Sequence, residues 1–311
     1  MRRFLKWLLL FFLPLLIIEI LFEIFIRIIP NNYKQKYQWM QENCQDVEIL
    51  ALGSSYMNNA ICPYKFEKKC YNLSMPAQTL EYDYKILSQF INNMPRLKHV
   101  IISADHYNLT SKPLAETKSS AYRATYYQLY MNIKTYSALS PNSYEIFKTH
   151  MAKMKAIKYL LSFFNDNNQS DNDSLGWKLS IGKKDKKDGW ADVRFEEIMN
   201  YFSLDNDTAY INYNLLYLRK ISELCRSNNV NLIVVTTPKS SYFTTRFPCF
   251  VMDKVLAAVK ECERSCNFLY KNYYNDNRFC DDDFITTDHL DDVGGVKFTQ
   301  ILLDDFHYVG L

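Results

Sequence analysis

The chain has 311 residues, 48% hydrophobic and 15% aromatic, with a formal net charge of +3. That composition excludes a disordered chain, and charges of both signs interspersed at this balance give no basis for nucleic-acid binding. With an N-terminal anchor set aside, the remaining length suits one sizeable domain or two small ones.

Residues 1–30 open Met1-Arg2-Arg3-Phe4-Leu5-Lys6, run apolar from Trp7 to Ile18 and stop at Pro30. Phe4 to Ile29 supplies the roughly 20 mostly apolar residues that a spanning helix needs. Glu19, Glu23 and Arg27 fall at i, i+4 and i+8, one helix face on which they can pair or meet a partner helix. No small-residue cleavage site follows, so the segment reads as an uncleaved signal anchor in the bilayer. Arg2, Arg3 and Lys6 place the N-terminus in the cytoplasm and the body outside it, with Arg27, Lys34 and Lys36 pulling the other way. A peripheral amphipathic helix is the alternative. Residues 31–46 read as a polar juxtamembrane connector, and 47–311 as the globular domain.

That domain opens on Val47 to Leu52, an apolar run followed by Gly53-Ser54-Ser55 and a helix start. A parallel sheet presents a hydroxyl in this way at the carboxyl end of its first strand. Cys70 to Leu73 predicts a second strand, and Pro76 the first turn of a helix over Ala77 to Ile91. Lys98 to Ala104 is a third strand, continuously apolar as in a sheet covered on both faces. Residues 110–208 read as an insertion, with an amphipathic helix over Ser143–Phe164 and a charged loop over Asn165–Trp190. Within it, Tyr122, Arg123, Tyr126 and Tyr127 suit either core packing or a sugar-binding wall. Alternation then returns: a helix over Tyr213–Ser227, a strand from Val230 ended by Pro238, a helix over Val251–Cys262, a strand over Asn267–Tyr270 and a closing helix to Phe306. This order predicts a three-layer α/β/α sandwich with a mostly parallel sheet.

Of eight cysteines, Cys262 and Cys266 have a C-x3-C spacing that is poor for a metal. Cys62 and Cys70 suit a disulfide if the domain lies outside the cytoplasm. The acidic run Asp281, Asp282, Asp283, Asp288, Asp291 and Asp292 does not fit a calcium loop and reads as a solvated acidic segment, so no metal or cofactor is expected. A serine becomes a nucleophile when a histidine takes its proton and a carboxylate orients the histidine. Of five histidines, at 99, 106, 150, 289 and 307, His289 stands out. It lies in a carboxylate-rich loop before the last helix, followed by Gly294 and Gly295.

These stretches, in this order at strand ends, resemble the SGNH/GDSL hydrolase superfamily, particularly membrane-anchored bacterial members linked to acyl transfer on cell-surface polymers. The resemblance covers about 47–109 and 209–305. It implies a flavodoxin-like fold and a serine esterase or O-acyltransferase acting on an acyl ester, with a surface glycan as substrate and a membrane acyl-transfer partner. Gly53-Ser54-Ser55 looks like the family's Gly-x-Ser, which points to Ser55 as nucleophile. Asp288-His289-Leu290-Asp291 looks like its late block, with His289 as base and Asp288 as orienter. Tyr71 to Gln78 is similar to the block that helps form the oxyanion hole, for which Ser55, Ala77 and Asn108 are the candidates. The chain departs from the family at Thr286, where the carboxylate three residues before the histidine is expected, at Ala77 in place of a glycine, and at Ala104-Asp105-His106-Tyr107-Asn108 in place of Gly-x-Asn-Asp. Without an orienting carboxylate, a serine–histidine dyad or an inactive binding or scaffold protein of the same fold is the expectation.

Overall fold

A computed structural model describes residues 2–117, 120–135, 139, 172–179, 190–201 and 209–311. The helix expected over Ser143–Phe164 and most of the charged tract after it lie outside these residues. The helices are α1 (Arg2–Ile28), α2 (Asn32–Asn43), α3 (Ser55–Ala60), α4 (Leu80–Phe90), α5 (His106–Thr110), α6 (Tyr122–Met131), α7 (Trp190–Tyr201), α8 (Ile211–Ser227), α9 (Ser241–Arg246), α10 (Cys249–Ser265) and α11 (Asp292–Asp305). The strands are β1 (Ile49–Leu52), β2 (Cys70–Asn72), β3 (His99–Ser103), β4 (Asn231–Thr236) and β5 (Leu269–Asn272).

Packing divides the chain into two units, Met1–Gln38 with Ala115–Ser170, and Trp39–Leu114 with Asp171–Leu311. In the first, α1 is long and apolar enough to cross a membrane. Glu23 pairs with Arg27 one turn on, and Glu19 is exposed. Near its end Ile26 is buried, and its carbonyl accepts a hydrogen bond from Tyr130 Oη at 2.7 Å. Tyr33 meets Tyr126 and Tyr127 edge-on at 5.6 and 5.0 Å and accepts from Arg123 at 3.3 Å. Tyr122 and Tyr127 are buried, so these aromatics form packing and the pair Tyr122 and Tyr127 offers no exposed wall for a sugar.

The second unit holds a five-stranded, all-parallel sheet in the order β2-β1-β3-β4-β5. Side chains alternate across a strand. Ile49, Ala51, Ile101, Ile233 and Val235 form one buried cluster with Met57 of α3 and Phe298, Ile301 and Leu302 of α11. The alternate residues Leu50, Leu52, Val100, Ile102, Leu232 and Val234 are buried too. The sheet is therefore covered on both faces, which is why its strands carry no polar alternation. The arrangement is consistent with an α/β sandwich.

Several boundaries differ from the sequence reading. The connector is helical, and its later part belongs with the sheet unit: Trp39 stacks on Tyr71 at 3.7 Å, and Met40 and Cys44 are buried. Helix α4 begins at Leu80 rather than at Pro76, because Met75 to Gln78 closes a turn (Gln78 N to Met75 O, 3.0 Å) with Ala77 at φ +58°. Residues 172–179, expected within an insertion, are tied to the sheet unit: Asn72 N bonds Leu175 O at 3.0 Å, and Trp177 Nε1 bonds Asn59 O at 2.9 Å. Cys62 and Cys70 are free, buried thiols rather than a disulfide, and burial pushes both thiols above their ordinary pKa. The acidic run is solvated only in part: Asp281 and Asp282 are exposed, whereas Asp283, Asp288 and Asp291 are buried. Asp281 accepts from Ser241 N and Oγ at 2.8 Å, Asp283 holds Cys280 N and Lys297, and Asp291 caps α11 through Gly294 N at 2.8 Å.

Gly295 marks the closest approach of two helices that frame the site. A Cβ there would stand 2.4 Å from the carbonyl oxygen of Asn59 in α3. Gly295→Ala therefore forces the two backbones apart, and we expect a loss of at least the ~1–3 kcal/mol typical of overpacking, read as a lowered urea midpoint. An unchanged midpoint would refute that close contact.

Candidate active site

The carboxyl ends of β1, β3 and β4 converge on one side of the sheet, where open parallel sheets form crevices. At the end of β1, Gly53 turns the chain with φ +132°, and a Cβ would meet Met57 Cγ at 2.8 Å and Ser103 Oγ at 3.0 Å. The next two hydroxyls have different fates. Ser54 is buried and caps α3, its Oγ accepting from Tyr56 N at 3.4 Å. Ser55, the first helical residue, is half-buried, and its Oγ lies 2.8 Å from His289 Nε2.

His289 is held on its other side. Its Nδ1 lies 2.9 Å from Asp288 Oδ1 and 3.1 Å from Thr286 Oγ1, which itself donates to Asp288 Oδ1 at 2.9 Å. With a carboxylate at Nδ1 the proton belongs there, which leaves the Nε2 lone pair facing the Ser55 hydroxyl. Adjacency of Asp288 and His289 in sequence thus does not prevent contact with the ring. The loop bends back through Ile285 N to His289 O at 2.9 Å, and Thr286 occupies a place beside the ring where a carboxylate was expected.

The Asp288 side chain has no exposure to solvent, and further donors surround it. Arg194 of α7 grips it with two nitrogens, Nε to Oδ1 and Nη2 to Oδ2, each at 3.0 Å. Tyr56 Oη donates to Oδ2 at 2.8 Å and lies 3.3 Å from His106 Nε2. Burial pushes the Asp288 pKa up, but His289 and Arg194 pull it harder the other way, to well below the usual carboxylate range. His289 is pulled below its ordinary value first by burial, with Arg194 and Lys239 adding to the effect and Asp288 opposing it. The ring is therefore neutral at neutral pH, as a proton acceptor must be.

A second buried pair lies behind the first. Lys239, which follows β4, donates from Nζ to Thr237 Oγ1 at 2.7 Å and to the Asp288 carbonyl at 3.3 Å. Nζ also stands 3.7 Å from Asp105 Oδ1 and 3.4 Å from the centre of the Tyr56 ring. Removing one member of such a pair leaves a bare buried charge, which typically costs ~3–5 kcal/mol.

The remaining sequence candidates are placed as follows. Ala77 sits in its turn at φ +58°, with its carbonyl accepting from Tyr107 Oη at 3.2 Å, and Met75 N ties the turn to Gly53 O at 3.0 Å. Asn108 accepts from Ser103 Oγ at 3.1 Å, while its Nδ2 is buried with no hydrogen-bond partner. His106 is buried next to Tyr56, and burial pulls its pKa down to about 3. His99 is buried on β3, His307 is exposed in the tail, and His150 lies outside the described residues. Sequence reasoning missed Tyr56, Arg194, Asp105 and Lys239. Only Lys239 and Asp105 carried a signal, as charged residues just past apolar strands.

Arg194 keeps a positive charge beside the His289–Asp288 pair, so its loss must raise the His289 pKa. We expect the imidazole titration of Arg194→Ala, followed by NMR, to move to higher pH. In Arg194→Lys, which keeps the charge without the fork, it should move less. A fall or no change in the alanine variant would refute the electrostatic assignment.

No protein-family model and no curated protein sequence matches the chain.

Proposed function

We propose that the chain is a serine esterase or O-acyltransferase of the SGNH hydrolase type, anchored in a membrane by α1. The observation that carries this reading is the continuous line from Ser55 Oγ through the His289 ring to Asp288, with contacts of 2.8 and 2.9 Å. In this reading Ser55 Oγ attacks an acyl carbonyl while its proton passes to His289 Nε2. Asp288 holds the ring in the required tautomer and stabilises the imidazolium. Negative charge on the carbonyl oxygen is met by the N–H groups of Ser55 and Ala77 and by Asn108 Nδ2. The unpartnered Asn108 donor supports its part, since a buried donor left unsatisfied is rare unless a ligand completes it. Collapse of the intermediate returns the proton to the leaving alkoxide and leaves an acyl group on Ser55. Water then gives hydrolysis, and a glycan hydroxyl gives transfer.

A fluorophosphonate probe should label the wild-type protein at Ser55. Ser55→Ala should lose labelling and lower turnover of p-nitrophenyl acetate by on the order of 10³-fold or more. The rival reading, a binding or scaffold protein of the same fold without activity, draws on Thr286 at the expected carboxylate position. It predicts no labelling at saturating probe, and that result would overturn the enzyme.

The membrane reading draws on α1 and places the sheet unit outside the cytoplasm, following Arg2, Arg3 and Lys6. Glu19, exposed on α1 beside the Glu23–Arg27 pair, is then the group that meets a membrane acyl-transfer partner, and a surface glycan is the substrate that fits this location. The full chain should stay in the membrane pellet after alkaline carbonate extraction. Release into the supernatant would favour a peripheral helix.

A further inference from the structure

At the amino end of the edge strand β5, the end of the parallel sheet opposite to the site, α10 ends and the chain turns into β5. There the sulfurs of Cys262 and Cys266 lie 3.6 Å apart. Cys262 is buried within the helix, whereas Cys266 follows it in extended conformation and is half-exposed. Arg219 of α8 reaches over the pair, its Nη1 2.7 Å from Ser265 Oγ and 3.8 Å from Cys266 Sγ. Cys266 opens into a groove of about 710 Å³ lined by Arg219, Lys220, Arg226 and Arg264, against one carboxylate, Glu223. That volume is in the range of small-molecule sites, roughly 300–1,000 Å³. Arg226 is paired with Glu223 at 2.6 Å and Lys220 Nζ lies over the Tyr217 ring at 5.0 Å, so Arg219 and Arg264 are the cations left to select a negatively charged ligand.

We propose that Cys262 and Cys266 form a reversible dithiol–disulfide site, oxidised through the groove by a low-molecular-weight disulfide that carries carboxylates. The Cys266 thiolate attacks one sulfur of the incoming disulfide, forming a mixed disulfide and expelling one thiolate. Arg219 stands where negative charge develops in that exchange. Cys262 then gives its proton to water, attacks the Cys266 sulfur and expels the second thiolate. The two cysteines together lose two electrons, and the incoming disulfide is reduced to two thiols. The order of attack follows from access: Cys262 is shielded, and burial with the neighbouring Cys266 pushes its thiol up to about 12. A protein disulfide has its sulfurs about 2.05 Å apart, so the proposed bond requires the two sulfurs to approach from 3.6 Å.

The sequence makes the test direct, because trypsin cuts after Lys260, Arg264 and Lys271 and so separates the two cysteines. Full-length protein in detergent is treated with oxidised glutathione, quenched with N-ethylmaleimide in denaturant and digested without reduction. Residues 261–264 and 265–271 should be recovered as one disulfide-linked species. In Cys262→Ser, glutathione should be trapped on the peptide of Cys266. In Arg219→Glu with Arg264→Glu, where residues 261–271 stay in one tryptic peptide and linkage is read as the absence of both N-ethylmaleimide adducts from it, linkage by oxidised glutathione should slow on the order of tenfold while linkage by uncharged hydroxyethyl disulfide stays unchanged. Recovery of both wild-type peptides carrying N-ethylmaleimide would overturn the site. Equal slowing with both oxidants would overturn the role of the groove.

Discussion

The sheet unit depends on one buried negative charge. Asp288 is fully shielded from water, and taking a carboxylate out of solvent costs several kcal/mol unless its lone pairs are met. Here they are met by Tyr56 from α3, by the two-nitrogen grip of Arg194 from α7, and by Thr286 and His289 from its own loop. Each donor comes with the backbone that carries it, so the carboxylate fixes the mutual positions of segments more than 230 residues apart in the chain. The second pair, Lys239 with Asp105, extends this order to the ends of β3 and β4, with the Tyr56 ring between the two.

The charges around His289 oppose one another. Asp288 favours the protonated ring, whereas burial, Arg194 and Lys239 disfavour it. A neutral resting base suits proton abstraction, but the same cations reduce the help that Asp288 gives once the ring has taken its proton. Under the proposed chemistry, Asp288 therefore both orients the ring and opposes these cations when the ring takes its proton. Thr286 shares the orienting work, because its hydroxyl meets both the ring and the carboxylate.

The sheet was legible because apolar strand runs are dictated by burial on both faces. Ile49–Leu52, His99–Ser103 and Asn231–Thr236 all fall inside the runs read from the sequence. The choice between Ser54 and Ser55 rested on a resemblance, and the geometry supplies a physical reason to separate them, a helix cap against a hydroxyl on the His289 ring. Arg194 was not legible: it sits on a helix of mixed polarity whose partner lies 94 residues away, and no periodicity encodes such a contact. The turn at Pro76-Ala77 was misread as a helix start because proline is equally at home in a turn, and alanine gives no sign of a positive φ. Residues 172–179 were misread because much of their attachment is through backbone hydrogen bonds, which any polar sequence can make, and the buried Trp177, bonded to Asn59 O, is a single aromatic within a polar tract.

Three consecutive residues after Gly53 perform unrelated tasks. Ser54 closes the helix end, Ser55 faces His289, and Tyr56 reaches the buried carboxylate. A helix turns about 100° per residue, which is how neighbours in sequence come to point in three directions. Inserting or deleting a single residue there would rotate all three tasks out of place together. The length of this stretch is therefore fixed as strictly as the three side chains it carries.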